Sequence, residues 1–380
     1  MRLTFVAHST RKPSGGIMAI YEFANAMVRR GHEVHLVHRP NVTMRAGQAT
    51  SLHDLEWARF EPLLHHHFAT IEHEVQPVPD ANGSGAYDMR EALLTRIVGD
   101  VVDFSAFPPA DFVFWYHHLL PADRGRPLMF VQGALLGKPH QRARMQRPCP
   151  KLCTARWLVD FGRAAGVDEA ELVHLRYGID HQKYRVTEPL EARPQQVSML
   201  YHAHRSKGAR FGLDAIAAVV ERLPDVHFKL FGVSDPAVPL PPRTTFSTNP
   251  TQRVLVHEIY NHSRIFVQPS IREGFGFAPV EAMACGCAVV STDNGGSRDY
   301  AFDEDTALVV PPRDSAALAD AIERLVLDDD LRLILARRAN AFVRETFDWN
   351  TSAAHLEEFL EAYGADPARY GAAQRSDVPR

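Results

Sequence analysis

A strand that leads through a glycine-bearing loop into a helix is the feature that most constrains this chain. The apolar run Ile265–Pro269 predicts a buried strand, and a helix is expected from about Gly276 to Cys285. Glu273 lies in the loop between them, and Glu281 follows inside the helix. Amides at the start of such a helix hold an anion such as a phosphate, and each carboxylate can grip two adjacent hydroxyls. The stretch therefore favours a nucleotide-sugar site, the alternative being turn glycines and a solvated helix residue.

The loop and helix together resemble the retaining glycosyltransferases of family 4, which have the GT-B fold. The mark of that family is Glu-Gly-Phe-Gly followed, after four residues, by Glu, and here it runs from Glu273 to Glu281. The resemblance implies that Glu273 contacts the donor sugar and acts as a catalytic positioner, whereas Glu281 contacts the ribose. The other donor-binding residues that it implies in this stretch are Gly274, Phe275, Gly276 and Phe277.

The resemblance also implies an α/β fold for nearly the whole chain. The expected architecture has two Rossmann-like, doubly wound domains that face a central cleft, and a C-terminal helix that crosses back to the first domain. The predicted divisions are an acceptor-side domain over 1–186, a linker over 187–196, a nucleotide-sugar-binding domain over 197–346, the crossing helix over 347–364 and a loose tail over 365–380.

Two further glycine pairs precede helix-like segments. Gly15 and Gly16 follow the first predicted strand, at a helix start where an anion can approach the backbone. Gly295 and Gly296 follow a later strand in a segment that ends at Asp299 and resembles the Gly-Gly-x-x-Glu segment of the family. The resemblance implies that both pairs face the donor.

Two cations, Arg205 and Lys207, follow the predicted strand Val197–Tyr201 and precede a helix. Cations in this place can neutralise a diphosphate and the charge that develops on it as it leaves. The family has a Lys-Gly pair and an Arg about five residues before the Lys. His202 stands at that Arg position, so Lys207 is the closer match and Arg205 the looser one.

A histidine near the end of a first-domain strand is frequent in the family, close to the reacting sugar carbon. Here the predicted strand Leu128–Val131 ends instead at Gln132. The neighbouring predicted strand delivers His117 and His118 to a carboxyl-end loop, where doubly wound sheets place their ligands. Gln132 and His118 are therefore both candidate catalytic residues.

The pattern between residues 41 and 110 is harder to interpret. A helix around Leu52–Phe68, a strand near Ile71–Val78 and a helix around Tyr87–Val102 are predicted. Consecutive histidines at 65–67 point in different directions on a helix, so metal ligation there is not expected. This half of a GT-B enzyme recognises the acceptor, which the sequence therefore leaves open.

The composition of the chain limits which kinds of binding partner are expected. The chain has 380 residues with a net charge of −4, no global basic field for nucleic acid and no apolar run long enough to span a bilayer. The four cysteines do not form a zinc pattern, and reduced thiols in a cytoplasm are expected. The segment from Lys138 to Lys151 contains five cations and no acid. It is either a solvated loop or a contact with an acidic membrane surface or a phosphorylated acceptor.

The resemblance implies transfer of a sugar from a nucleoside-diphosphate donor to an acceptor hydroxyl, with retention. The resemblance implies a front-face path in which Lys207, Arg205 and loop amides offset the leaving diphosphate, without a metal or a cofactor. Two alternatives remain. One is a GT-B enzyme of another reaction, such as a sugar-nucleotide epimerase or hydrolase, and the other is a non-catalytic nucleotide-sugar-binding subunit.

Overall fold

The computed structural model describes residues 1–9, 13–40, 55, 57–68, 109–115, 124–133 and 139–370. Its described strands form two sheets in which every strand pair is parallel. The first sheet contains β1 (Arg2–Ser9), β2 (Glu33–Pro40), β3 (His65–Phe68), β4 (Phe112–Trp115), β5 (Arg126–Val131), β6 (Lys151–Cys153) and β7 (Leu172–His174). The second contains β8 (Gln196–Leu200), β9 (His227–Gly232), β10 (Thr244–Thr248), β11 (Ile265–Gln268), β12 (Ala288–Thr292) and β13 (Leu308–Val310).

Helices cover both sheets, which explains why the central strands are apolar on both faces. The α-helices are α1 (Gly15–Arg29), α2 (Pro139–Met145), α3 (Arg156–Ala164), α4 (Ala209–Arg222), α5 (Phe277–Ala284), α6 (Ser315–Leu327), α7 (Asp329–Thr346) and α8 (Trp349–Ala365). Short 3-10 helices span Glu169–Glu171, Arg205–Lys207, Gly296–Asp299 and Pro367–Tyr370, and Val254–Tyr260 is π-helical.

The strand order of each sheet reverses near its middle. The first sheet runs β3-β2-β1-β4-β5-β6-β7, and the second runs β10-β9-β8-β11-β12-β13. The reversals fall between β1 and β4 and between β8 and β11, where doubly wound sheets bind their ligands beyond the carboxyl ends of the strands. The prediction of an α/β fold with two doubly wound units is therefore confirmed.

The last long helix, α8, returns to the first sheet as predicted. Its first residue, Trp349, lies edge-on to Phe23 of α1 with the ring centres 5.2 Å apart. Further along α8, Glu357 pairs with Arg30 and, at 2.7 Å, with His32 Nε2. The C-terminal end of the described chain is thus anchored on the N-terminal unit.

The helix predicted around Leu52–Phe68 is wrong where the structure describes it. Residues 65–68 form β3, an edge strand that pairs with β2. Histidine rings replace the usual apolar side chains: His66 bonds to His38 at 2.9 Å, and His67 bonds to His35 at 2.9 Å. Cross-strand partners thus override a run that has no strand propensity of its own. The strand predicted near Ile71–Val78 and the helix predicted around Tyr87–Val102 lie outside the described residues.

The predicted linker and the start of the predicted loose tail are both held by particular side chains. Arg193, in the segment 187–196, is fully buried and donates to the carbonyls of Ser263 and Cys285 at 3.0 and 2.7 Å. This segment is therefore anchored to the second unit. Residues 365–370, predicted as the start of a loose tail, end in a short helix whose Tyr370 packs edge-on against Phe359.

The basic segment that ends at Lys151 is also less exposed than predicted. Lys151 is completely buried and pairs with Glu171, and Arg144 donates to the Phe130 carbonyl at 3.3 Å. Arg142 remains exposed, and Lys138 lies outside the described residues. Lys151 therefore cannot contribute to a membrane surface. Within the described ranges, no helix has both the length and the apolarity to cross a bilayer.

Candidate active site

The predicted site residues converge because the loops that hold them leave neighbouring strands at their carboxyl ends. β8 and β11 lie side by side, and the loops after them contain Lys207 and Glu273, respectively. The β1 and β5 loops of the first sheet, with Gly15 and Gln132, meet them from the other side. Residues far apart in the sequence are thereby gathered between the two sheets.

An ion pair lies at the centre of the site. Lys207 Nζ is 2.7 and 2.9 Å from the two carboxylate oxygens of Glu273, which is 7% exposed. Ser270 Oγ and Gln268 Nε2 also donate to Glu273 Oε1, at 2.8 and 3.1 Å. Three donors thus fix Oε1, whereas Oε2 has Lys207 alone among the described residues. Oε2 retains the capacity to accept a hydroxyl group of a ligand.

Two other polar side chains are near Lys207 in the sequence: Arg205 in the same short helix and His202 before it. Arg205 is exposed, and its side chain makes no ion pair or hydrogen bond within the described residues. His202 accepts the His204 amide on Nδ1 at 3.0 Å, and burial and the Lys207 charge lower its pKa. Because no described residue pairs with its guanidinium, Arg205 is available to an anionic ligand that also approaches Lys207.

The second carboxylate, Glu281, is 8% exposed and lies on α5. Its Oε2 accepts the Tyr260 hydroxyl at 2.8 Å, and the Tyr184 hydroxyl is a second hydrogen-bonding neighbour. Burial raises the pKa of Glu281, although both tyrosine hydroxyls oppose that shift. Glu281 is thus a buried acid that is oriented by hydrogen bonds and whose ionisation is disfavoured by burial, rather than a solvated helix residue.

The N-terminal glycine pair lies where α1 begins. Ser14 precedes the helix without capping it through its side chain, and the first turn has no acidic residue. Gln132 Nε2 donates to the Gly16 carbonyl at 2.7 Å, and a Cβ on Gly16 would lie 2.7 Å from Gln132 Oε1. Among the described residues, no side chain caps the start of this helix, and Gln132 fixes its orientation.

The loops of the second unit interlock and meet the first unit at Gln132. The Glu273 amide donates to the Asn294 carbonyl at 3.0 Å. A Cβ on Gly296 would lie 2.3 Å from the Phe275 carbonyl, and a Cβ on Gly274 only 1.7 Å from the Gln132 carbonyl. Any side chain at Gly274 would therefore force the two units apart.

The two phenylalanines of the loop pack their side chains against aromatic rings, and donor contact at Phe275 and Phe277 stays a prediction. Phe275 is 4% exposed, with the rings of Tyr177, Tyr300 and Phe347 within 5.5 Å of its ring centre. Phe277 stacks on Tyr177 at 5.0 Å. Their side chains therefore pack at the junction between the two units.

His118 lies outside the described residues, so its role stays a prediction, and Gln132 has a positioning contact that the sequence did not indicate. Trp157, whose Nε1 donates to the Gly274 carbonyl at 2.9 Å, was not among the predicted site residues. Asp299, noted only for its resemblance, accepts the Arg156 amide at 3.1 Å. Neither contact has a local sequence signal, because each joins residues more than a hundred positions apart.

Part of the chain is similar in sequence to known glycosyltransferases. Residues 196–328 match the family model described as "Glycosyl transferases group 1". Among curated proteins, a D-inositol 3-phosphate glycosyltransferase from Corynebacterium jeikeium is 37% identical over 103 residues, 27% of this chain and 24% of that protein. The chain spans between about a quarter and a half of the length of the first such relatives it matches.

Solved structures align over nearly the whole chain. Sucrose-phosphate synthase from Thermosynechococcus elongatus has a TM-score of 0.73 at 17% identity and covers 96% of this chain and 99% of its own. Anabaena HepE in complex with UDP-glucose has a TM-score of 0.67 at 17% identity, with 95% of this chain and 100% of its own covered. The protein thus has the GT-B fold of these enzymes, and over residues 196–328 it is similar to the group 1 glycosyltransferases.

Proposed function

We propose that this protein is a retaining glycosyltransferase that moves a sugar from a nucleoside-diphosphate donor to an acceptor hydroxyl. The single observation that supports this most is the Lys207–Glu273 pair, held at 2.7 Å at the carboxyl ends of β8 and β11 with glycine loops around it. The match of residues 196–328 to the group 1 glycosyltransferases supports the same reaction class.

Donor binding follows from the placement of the charges. Lys207 and Arg205 neutralise the diphosphate, and the uncapped start of α1 at Gly15 and Gly16 adds backbone amides. Glu273 Oε2 accepts a hydroxyl of the donor sugar, while Glu281 accepts the ribose hydroxyls after exchange of one tyrosine partner. Lys207 then exchanges part of its contact with Glu273 for the diphosphate.

The reaction needs charge stabilisation more than a protein nucleophile. As the bond between the sugar and the phosphate breaks, negative charge grows on the diphosphate, and cations already in place stabilise it without reorganisation. In the front-face path, a phosphate oxygen takes the proton of the acceptor hydroxyl on the same face of the sugar. We propose that the two cations allow this without a metal ion or a cofactor.

A turnover assay with and without an acceptor tests this function. UDP-glucose is a rational first donor because it is the ligand of the HepE structure, and UDP-, GDP- and dTDP-sugars follow. We expect slow hydrolysis of one donor without an acceptor, and the α or β configuration of the donor to persist in the product, measured by NMR.

The replacement Glu273→Gln is expected to lower turnover about 100-fold, because misplacement of the donor sugar by about 1 Å has an effect of that size. Glu323→Gln is the control, since Glu323 pairs with Arg222 away from the site. Tight donor binding without turnover would favour a binding subunit, and release of a free altered sugar would favour an epimerase. A variant Glu273→Gln with wild-type turnover would contradict the proposed site.

A further inference from the structure

The N-terminus of α3, a helix of the first domain, contacts two loops of the second domain. We call them the donor loops: one contains Glu273 and Gly274, and the other contains Gly295 and ends at Asp299. Ala155 precedes the helix without a side-chain cap, and its first turn has no acidic residue. The cap comes instead from the other domain, since Asp299 accepts the Arg156 amide at 3.1 Å. Asp299 ends the short helix that begins at Gly296, so the donor loop after β12 and the start of α3 are tied together.

The next residue of α3, Trp157, contacts both donor loops. Its Nε1 donates to the Gly274 carbonyl at 2.9 Å, one residue from Glu273. Its ring lies so close to Gly295 that a Cβ there would be 3.3 Å from three ring atoms. The side chain is 8% exposed, so water cannot readily replace it as the partner of the Gly274 carbonyl.

The two loops depend on each other as well as on Trp157. The Glu273 amide donates to the Asn294 carbonyl, and Tyr300 Oη donates to the Phe275 carbonyl at 3.2 Å. A shift of Gly274 therefore moves the backbone that sets the Glu273 carboxylate beside Lys207. Trp157 is the one side chain of α3 whose hydrogen bond reaches that backbone among the described residues.

We propose that Trp157 is a positioning residue for the transfer reaction, which holds the Glu273 loop and the Gly295 loop in register when the two domains meet. The expected effect of Trp157 on turnover rests on the proposed function, whereas its expected effect on the two loops does not. A purely space-filling tryptophan would tolerate loss of the N–H group, and a positioning tryptophan would not.

The chain offers a matched control in Trp115 of β4. Trp115 and Trp157 belong to the same buried cluster of the first domain. Trp115 Nε1 has no hydrogen-bond partner among the described residues. Trp115→Phe and Trp157→Phe therefore remove the same atoms from one core, but only Trp157→Phe removes a bond to the second domain.

Amide hydrogen exchange of the free protein gives the readout that does not need a donor. In Trp157→Phe we expect the Glu273 amide and its neighbours through Gly276 to exchange about tenfold faster than in wild type, because the Gly274 carbonyl has lost its partner. In Trp115→Phe these amides should exchange at the wild-type rate. Unchanged exchange in Trp157→Phe would overturn the inference, whether or not the protein is a transferase.

Kinetics with the donor found in the turnover assay give the second readout. We expect Trp157→Phe to lower kcat about tenfold relative to Trp115→Phe while the donor KM changes less than about twofold, since Lys207 and Arg205 still hold the diphosphate. Equal kcat values in the two variants, or a loss confined to KM, would overturn a positioning role. Absence of turnover in wild type would refute the proposed function, and the exchange rates would still decide whether Trp157 holds the loops.

Discussion

Glu281, proposed above to bind the ribose, is a buried acid that weakens the fold. Its carboxylate is buried on α5, and burial raises its pKa above the ordinary value of 4.5. The folded protein therefore holds the proton more tightly than the unfolded chain does. As the pH rises above about 4.5, the unfolded chain gives up its proton first, so the free energy of unfolding falls.

The replacement Glu281→Gln is expected to raise the melting temperature of the ligand-free protein at pH 7, since it removes the charge that burial penalises. The advantage over wild type should shrink as the pH falls towards 4.5, where the unfolded carboxyl is itself half protonated. Thermal unfolding over this pH range measures the difference. Glu258→Gln, at an exposed ion pair, is the control. A variant that melts below wild type at every pH would contradict the account of Glu281.

At the scale of the elements, the return of α8 to the first sheet depends on a glycine. A Cβ on Gly178 would lie 2.3 Å from the backbone nitrogen of Trp349, where α8 begins. Gly178→Ala is therefore expected to lower the free energy of unfolding by about 1–3 kcal/mol, as overpacking does elsewhere. Chemical denaturation measures this, with Gly133→Ala as the control because a Cβ there would meet none of the described residues within 4 Å. Equal stability of the two variants would show that α8 adjusts freely.

The histidines of β2 and β3 make the edge of the first sheet sensitive to acid. Burial and neighbouring histidines lower the pKa of His38 to about 3 and that of His66 to about 4. Between pH 6.5 and about 4, the unfolded chain binds protons at these positions that the folded chain does not. The free energy of unfolding should then fall with decreasing pH by up to about 1.4 kcal/mol per pH unit for each proton.

A double variant, His38→Gln with His66→Gln, tests this assignment. Its unfolding free energy should depend less steeply on pH than that of wild type between pH 6.5 and about 4, whatever its stability at pH 7.5. His227→Gln is the control, because His227 is an exposed residue of β9 in the other sheet. If the double variant keeps the wild-type slope, other groups account for the acid sensitivity.

The same elements show where sequence patterns are informative. The strand Ile265–Gln268 and the helix α5 were predicted because apolar periodicity and glycine loops are local signals. The same signals place Glu273 in the loop and Glu281 in the helix. β3 was missed because its pairing is determined by β2, which lies some 30 residues earlier in the chain. Trp157 was missed for the same reason, since a tryptophan on an amphipathic helix is indistinguishable from core packing until Gly274 is placed beside it.

On the scale of the whole molecule, two doubly wound units meet at the carboxyl ends of their strands. The reversal of strand order places Lys207 next to Glu273, and Gly274 lets the second unit approach Gln132 of the first. This architecture was predicted from a family resemblance whose motifs lie mainly in the second unit. The acceptor remained open, since the segment with the weakest pattern belongs to the first unit.

A thermal-shift panel of UDP-, GDP- and dTDP-sugars on wild type and Glu281→Gln tests directly whether the protein binds a nucleotide sugar at this site. A donor at 100 times its dissociation constant should add roughly 2.7 kcal/mol of stability to wild type. We predict that one nucleotide class gives this shift and that the shift disappears in Glu281→Gln, although that variant melts higher without ligand. No shift with any nucleotide sugar at millimolar concentration, or an equal shift in both proteins, would contradict the donor site described here.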